Sequence, residues 1–267
     1  MKVYFSCDIE GSAGVAHWDE CTHNHPDYEY FRNQMTKEVA GACEGANMAG
    51  AKELLVRDAH GTARNIIPSA LPENASIVRG GGGDMFAMVT GINTSFDAAV
   101  MTGFHSGVGT DGCPLSHTFN KKTEMLMLND MVLSEFLFNT YSAAYHGVPV
   151  VFVSGDEAIC EFAKELVSGI TTVATQKGIG SATKSIHPDL AVKKIKEGVQ
   201  QALPGDLDKC KITLPEKFVM KVRFRNHADA YFNSFYTGIK QLDAKTLQYE
   251  TDDWLEILRM VHFVLDK

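Results

Sequence analysis

Hydrophobic runs of strand length alternate with stretches of helical spacing along most of this 267-residue chain. Strands are predicted at residues 3–7, 53–57, 76–78, 97–102, 124–128, 149–153 and 171–175. Helices are predicted at about 28–49, 133–146 and 156–167. Alternation of this kind is typical of a parallel sheet, because parallel neighbours need a long crossover that a helix usually supplies. The sequence therefore predicts an α/β fold with a largely parallel sheet flanked by helices.

The alternation changes beyond residue 187. A helix begins near Pro188, carries Lys193, Lys194 and Lys196 on its solvent side, and is followed by a strand at 218–224. A terminal helix is predicted from residue 252. We expect residues 1–187 to form the α/β core and residues 188–267 to form a smaller α+β lobe packed on it. No clear linker, repeat or low-complexity segment separates the two parts.

Composition and charge narrow the classes of function. A net charge of −8 without a clustered excess of Lys and Arg disfavours a nucleic-acid partner. No apolar run approaches the roughly 18–20 residues of a membrane-spanning helix, so no membrane association is expected. The six cysteines show no C-x-x-C spacing, and the chain enters its first strand without a signal-peptide core. Both features predict a cytoplasmic protein with reduced thiols.

Metal-capable side chains follow three of the predicted strands. Asp8 and Glu10 follow the first, Asp58 and His60 the second, and His105 the fourth. Ligands of open α/β sheets bind outside the carboxyl ends of the strands, and residues two apart in extended backbone point to one side. Such donors suit Zn²⁺ or Mn²⁺ in a hydrolytic site, and Asp8 is the candidate to bridge two ions. The alternative is that Asp8 and Glu10 only cap a loop, which the histidines at equivalent strand ends disfavour.

Two further residues are candidates for chemistry. His117 lies in Ser116-His117-Thr118, within a loop rich in glycine between the fourth strand and the next. A histidine there is a candidate general base or nucleophile, and the alternative is a solvated surface side chain. Glu135 falls on the first turn of a predicted helix, where spacing alone favours compensation of the helix dipole.

Other noticeable residues favour ordinary interpretations. The four glycines at 80–83 are followed by no Lys-Ser or Lys-Thr, so a tight turn or a close backbone approach to a ligand is favoured over a phosphate loop. His17, His23 and His25 are irregularly spaced in a polar loop, which favours surface positions. Cys7 is expected to be a buried strand residue, because strand alternation turns it away from Asp8.

Taken together, the motifs of the chain resemble the D-aminopeptidase family of metallopeptidases. The matching segments are Lys-Val-Tyr-Phe-Ser-Cys-Asp-Ile-Glu-Gly at 2–11, Val-Arg-Asp-Ala-His at 56–60, Gly-Phe-His at 103–105, Ser-His at 116–117 and Ser-Glu-Phe-Leu-Phe-Asn at 134–139. They occur in the order of the family and near its spacing, over roughly the first 175 residues and more weakly beyond. The four-glycine run and the segment 17–30 depart from the family pattern and are candidates for lining a substrate cleft.

The resemblance implies a dinuclear zinc site with two Zn²⁺ per chain. Its implied ligands are Asp8 as the bridge, together with Glu10, His60, His105 and Glu135. This implication replaces the helix-dipole interpretation of Glu135. It also makes His117 catalytic, as a nucleophile in the family's proposed mechanism, while activation of water by His117 stays an open alternative. Family members assemble as ring-like homo-oligomers that enclose their active sites, which favours short peptides as substrates.

The resulting expectation is a zinc-dependent aminopeptidase that hydrolyses short peptides, with an N-terminal D-amino acid such as D-Ala preferred. Two alternatives remain at this level. One is another dinuclear metal hydrolase, such as an amidase. The other is a non-catalytic peptide-binding protein of the same fold, which the complete set of candidate ligands disfavours.

Overall fold

A computed structural model describes residues 1–265. The strands are β1 (Lys2–Cys7), β2 (Glu53–Asp58), β3 (Ala75–Val78), β4 (Ala98–Phe104), β5 (Thr123–Leu128), β6 (Met131–Val132), β7 (Val150–Asp156), β8 (Thr171–Ile179), β9 (Ala182–Ser185), β10 (Phe218–Phe224), β11 (Lys240–Gln241) and β12 (Thr246–Thr251). The α-helices are α1 (Tyr28–Met48), α2 (Glu135–Tyr145), α3 (Glu157–Leu166), α4 (Pro188–Ala202), α5 (His227–Asn233) and α6 (Trp254–Val264). The strands form two separate sheets.

Sheet A carries the α/β architecture. Its seven strands lie in the order β3-β2-β1-β4-β7-β8-β9, and every neighbouring pair is parallel except β8 with β9. The central strands β4 and β7 are buried along their whole length, as expected for a sheet covered on both faces. Helices α1 and α4 pack together, while α2 and α3 pack against β4, β7 and β8. The predicted fold class is confirmed.

Sheet B is antiparallel, with the order β11-β12-β10-β5-β6. The strand predicted at 124–128 belongs to this sheet, and its place in the parallel β/α series was therefore wrong. The physical reason is the turn at Asn129 and Asp130, whose φ angles of 47° and 65° fit a tight hairpin that returns the chain beside β5. A two-residue hairpin can join antiparallel strands only.

The second layer draws on distant parts of the chain. Strands β5 and β6 lie before residue 187, whereas β10, β11, β12 and helices α5 and α6 come after it. Helix α4, also beyond residue 187, packs against α1 beside sheet A. Elements thus cross the boundary that the sequence favours, and the division into domains at residue 187 stays a prediction.

Two apolar cores correspond to the two layers. The first contains β1, β4 and β7, and the second surrounds the fully buried ring of Trp254. Phe86, Phe119 and Phe162 pack against both cores and join the layers. All six cysteines are buried free thiols, including Cys7 on β1 as predicted. Across residues 1–265, every helix is too short or too polar to traverse a lipid bilayer.

Candidate metal centre

The carboxylate of Asp8 lies between two imidazoles. Its Oδ1 is 3.2 Å from Nδ1 of His60, and its Oδ2 is 3.5 Å from Nε2 of His105. A second carboxylate approaches each imidazole: Glu10 Oε2 lies 3.0 Å from His60 Nδ1, and Glu135 Oε2 lies 3.3 Å from His105 Nε2. The result is two donor groups that share one aspartate.

The donor atoms are close enough to hold cations. One group consists of Asp8, Glu10 and His60, the other of Asp8, His105 and Glu135, and within each the donor atoms lie within 4.8 Å of one another. A third overlapping group joins Glu10 and His105 to His117. Carboxylate oxygens and imidazole nitrogens are the donors of catalytic zinc sites.

The topology of sheet A brings these residues together. Strands β2, β1 and β4 are adjacent and parallel, so their carboxyl ends meet at one edge. Asp8, His60 and His105 follow these three strands. Glu135 arrives from another direction, as the first residue of α2, whose N-cap Ser134 accepts a hydrogen bond from the Leu137 N–H. The cluster thus lies at the strand edge where ligands of such sheets bind.

Close contact between β1 and β4 positions Asp8. The Asp8 N–H donates to the carbonyl of Thr102, 2.8 Å away, and the Gly11 N–H donates to the carbonyl of Gly103 at the same distance. Gly103 has a φ of +71°, and a Cβ at this position would lie 2.1 Å from the carbonyl oxygen of Asp8. Only glycine fits here, because any side chain would push the two strand ends apart.

Backbone carbonyls set the orientation of both imidazoles. His60 Nε2 lies 2.9 Å from the carbonyl oxygen of Cys21, and His105 Nδ1 lies 3.0 Å from that of Ser106. A carbonyl only accepts, so these nitrogens carry the hydrogen of the neutral ring. In the neutral rings, His60 Nδ1 and His105 Nε2 would offer their lone pairs to a metal ion, and a hydrogen bond from the other ring nitrogen is typical of metal-ligating histidines.

The cluster concentrates negative charge away from water. Asp8, Glu10 and Glu135 are at most 4 % exposed. Within residues 1–265, Asp8 Oδ2, both oxygens of Glu10 and His105 Nε2 are buried without a hydrogen-bond partner. Buried ionised groups are costly unless they are paired with opposite charge or coordinate a metal. These unpaired donors fit a metal centre.

The shifted pKa values of the cluster also show that it favours bound positive charge. Burial alone lowers the pKa of His60 and of His105, but the adjacent carboxylates, Glu10 for His60 and Glu135 for His105, raise both pKa values well above the usual range. Burial also raises the pKa of Glu135, yet His105 and His117 outweigh it and hold that pKa at about 2. The site therefore attracts cations, which are protons or metal ions.

His117 lies against this cluster on the cavity side. Its ring stacks on His105 with centroids 4.3 Å apart and an interplanar angle of 6°, and the Trp18 ring meets its edge. Nδ1 is 2.8 Å from the carbonyl oxygen of Leu115, so Nδ1 carries the hydrogen and Nε2 is directed at the carboxylates. Nε2 lies 3.7 Å from Glu135 Oε1 and 3.9 Å from Glu10 Oε1.

A cavity of about 690 Å³ opens over the cluster. Its volume is within the range of ligand pockets. It is lined by five of the predicted residues, Asp8, Glu10, His60, His117 and Glu135. Trp18 and His23, from the segment that departs from the family pattern, reach the same cavity, as do three glycines of the 80–83 run. His105 completes the cluster beneath His117.

Asp58 does not join the cluster, and its grouping with His60 was wrong. Its carboxylate is fully buried and accepts hydrogen bonds from the N–H groups of Asn65 and Ile66 and from Asn65 Nδ2, at 2.6 to 2.8 Å. Asp58 thus holds the loop after β2 in place. Period-two spacing failed here because hydrogen bonds from the loop at 65–66 hold the Asp58 carboxylate away from the cluster.

Sequence reasoning missed two cationic side chains of the cavity wall. Arg57 lies on β2, and Lys121 lies 4.1 Å from the centre of the Trp18 ring. The sequence did offer a signal for Arg57, because it is a charged residue that directly follows the apolar residues in the middle of β2. Lys121 carried no signal, since exposed lysines in loops are common.

Comparison with known proteins returns one consistent family. A family model described as D-aminopeptidase, peptidase M55, matches residues 1–263. A D-aminopeptidase of Bacillus subtilis (strain 168) is 31% identical over 261 residues, covering 96% of this chain and 93% of the relative. The solved structure of the Zn-dependent D-aminopeptidase DppA from Bacillus subtilis, a self-compartmentalizing protease, matches with a TM-score of 0.92 and 29% identity. That match covers 99% of this chain and 96% of the DppA chain.

Proposed function

The chain belongs to the D-aminopeptidase family of metallopeptidases, and from this premise we propose that it hydrolyses short peptides that carry an N-terminal D-amino acid. The observation that carries the proposal is the pair of donor groups sharing Asp8, which lies at the strand edge of sheet A beneath a cavity. The relative of known structure is Zn-dependent, and the donor set here suits the same metal.

We propose two zinc ions per chain. Asp8, Glu10 and His60 would hold one ion, and Asp8, His105 and Glu135 would hold the other. Support comes from the two oxygens of Asp8, each of which is directed at a different imidazole. Three buried carboxylates also exceed the charge that one divalent ion would neutralise.

Held by these residues, zinc would supply a Lewis acid for the scissile carbonyl and a water of lowered pKa. His117 supplies the chain's own chemistry. Because the Leu115 carbonyl accepts the Nδ1 hydrogen, Nε2 carries the lone pair that is directed at the site. In one case Nε2 attacks the carbonyl carbon, the C–N bond breaks, and the amine leaves with a proton from water, whose hydroxide then hydrolyses the acyl-imidazole. In the second case Nε2 accepts the proton of the attacking water and then delivers that proton to the leaving amine. The rings of Trp18 and His105 pack against the imidazole and hold it in place for either role.

We further propose that the protein assembles as a ring-like homo-oligomer in the cytoplasm. DppA is described as self-compartmentalizing, and the likeness to it extends over 99% of this chain. Aromatic side chains on and after α5 support burial against another copy, since Tyr231 is 61% exposed and Phe235 is 72% exposed. Enclosure in a ring would restrict substrates to short peptides.

The test is a substrate panel with the zinc-loaded full-length chain. D-Ala-Gly, L-Ala-Gly and N-acetyl-D-Ala-Gly differ only in chirality or in the free amine. We expect D-Ala-Gly to be cleaved and the acetylated form to be cleaved at least about tenfold more slowly. The reason is that acetylation removes the free amine and leaves the enzyme group that binds it without a partner. Equal rates on the free and acetylated forms would favour an amidase. No hydrolysis of any peptide would refute the enzymatic proposal.

A further inference from the structure

Arg57 is a buried cation that forms no ion pair with any of the described residues. It is 4 % exposed, and its Nε is buried with no hydrogen-bond partner within residues 1–265. Of its three guanidinium nitrogens, only Nη1 donates to another described residue, the carbonyl oxygen of Gly80 at 2.7 Å. A guanidinium offers five N–H donors, so most of them remain unused. Buried arginine is ordinarily paired, and the missing partner points to an anion from outside the chain.

The guanidinium belongs to the cavity that holds the metal centre. Arg57 and Ser6 are partners in the register of β2 and β1, so their side chains leave the same face of sheet A. Asp8 follows two residues after Ser6, at the end of that strand. Arg57 and Asp8 both line the cavity. A ligand in this cavity can therefore reach the metal centre with one end and Arg57 with the other.

The cavity wall beside Arg57 consists of glycine. Residues Gly81, Gly82 and Gly83 line it. No heavy atom lies within 4 Å of a Cβ built at Gly81 or Gly83, whereas a Cβ at Gly82 would meet the Asp84 carboxylate at 2.8 Å and the Thr90 side chain at 3.0 Å. The N–H groups of these three residues donate to no other described group, whereas that of Gly80 is held by Ala63. The open space at Gly81 and Gly83 lets a ligand approach the backbone closely, and free N–H groups bind anions.

We propose that Arg57, with the backbone N–H groups of Gly81 to Gly83, forms a carboxylate-binding subsite that selects peptides by their free C-terminus. The inference rests on the proposed function and adds a residue that determines specificity. A planar carboxylate matches the guanidinium fork in a bidentate pair, whereas a C-terminal amide or an internal peptide group offers one neutral acceptor only. The enzyme accordingly prefers a dipeptide acid to the corresponding dipeptide amide.

Two other charged groups face the same space. The Asp84 carboxylate accepts the Phe86 N–H at 2.8 Å and is turned towards Gly82, so it makes no ion pair with Arg57 among the described residues. The Lys121 ammonium lies over the Trp18 ring at the exposed side of the cavity, where water competes for it. Arg57 is shielded from water and Lys121 is not, so a carboxylate is bound more strongly by Arg57 than by Lys121.

The experiment compares D-Ala-Gly with D-Ala-Gly amide as substrates of the zinc-loaded full-length chain. We expect kcat/KM to favour the acid by about 10- to 150-fold, the factor for hydrogen bonds to a charged group. Arg57→Gln should reduce kcat/KM for the acid by about that factor and leave the amide within about threefold. Arg57→Lys should restore part of the preference. Arg79→Gln, which removes an exposed positive charge next to the glycine run, should leave the ratio unchanged.

Binding gives a second readout that does not depend on turnover. In a His117→Ala background, calorimetry should show the same preference for the acid over the amide, and adding Arg57→Gln should abolish it. Equal affinity and equal kcat/KM for the two ligands in the parent chain would overturn the subsite while leaving the aminopeptidase intact. A parallel loss on acid and amide in Arg57→Gln would assign Arg57 a structural role, and loss of the preference in Lys121→Gln alone would move the subsite to Lys121.

Discussion

The buried carboxyl of Glu38 predicts a pH-dependent gain in stability from a single substitution. Glu38 lies on α1, is 1 % exposed, and accepts hydrogen bonds from the Ala13 N–H and from Gln34 Nε2, both at 2.9 Å. The Ser12 hydroxyl also lies close to this carboxyl, and no cation is paired with it among the described residues. Burial raises the pKa of Glu38 from 4.5 to about 7, against the opposing effect of these hydrogen bonds. Glu38→Gln keeps the shape and removes the charge.

The sign follows from proton linkage. Between pH 4.5 and about 7 the folded chain holds a proton on Glu38 that the unfolded chain has released, so the free energy of unfolding falls as pH rises through this window. Above pH 7 the ionised carboxylate costs up to roughly 3 kcal/mol, at about 1.4 kcal/mol per pH unit. We expect Glu38→Gln to recover about 2–3 kcal/mol at pH 8 and less than about 1 kcal/mol at pH 5.

Thermal unfolding at matched protein and metal concentration measures the difference. With an unfolding entropy of about 2.1 cal/mol/K per residue, the gain corresponds to a Tm higher by about 4–5 °C at pH 8 and by about 1 °C at pH 5. The control is Glu44→Gln on the same helix, where the exposed carboxylate pairs with Lys196 and the change should be small and independent of pH. Equal shifts at both pH values, or none at pH 8, would refute the reasoning. Titration of the metal centre cancels, because it is common to both chains.

Three further predictions concern the metal centre. Asp8→Ala should lose both zinc ions in elemental analysis, whereas Glu10→Ala should retain at least one, because only a bridging ligand serves both sites. His117→Ala should keep its metal and its fold while kcat falls on the order of 10²- to 10⁴-fold, and loss of metal instead would make His117 a ligand. Gly103→Ala should destabilise the protein by at least about 3 kcal/mol and reduce its zinc content, since its Cβ would strike the backbone of Asp8. The matched change Gly50→Ala, at a similar positive φ with open space around it, should cost only about 1–2 kcal/mol and leave the zinc content unchanged.

Local pattern was sufficient for most of sheet A. The run Val3 to Cys7 and the helix from Tyr28 were predicted nearly to the residue, because hydrophobic period and helix stop signals are local properties. The strand-end rule then placed Asp8, His60 and His105 at one edge without knowledge of any contact. Their roles as ligands, and the role of His117, stay predictions until metal content and kinetics are measured.

The sequence could not separate residues whose local surroundings look alike. Asp58 and His60 lie at the end of the same strand, yet the Asp58 carboxylate accepts hydrogen bonds from the loop at 65–66 and does not reach the cluster. Glu135 is an acidic residue in the first turn of a helix, as its local sequence indicates, and α2 also directs its carboxylate at His105. Only resemblance to a family suggested that second role before the fold was known.

The sequence by itself determined most strands and helices of sheet A, the edge at which polar side chains collect, and the family to which those motifs are similar. The short elements β6, β9, α5 and β11, and strand β12, were not predicted. Tertiary structure decided that β5 joins a second sheet, that Asp8 stands between two imidazoles, and that Arg57 lines the cavity without an ion-pair partner among the described residues. The reason is the distance along the chain between the residues that interact. Hydrophobic period and turn chemistry act over a few residues, whereas an ion pair, or the lack of one, depends on groups far apart in the chain that only the packed layers bring together.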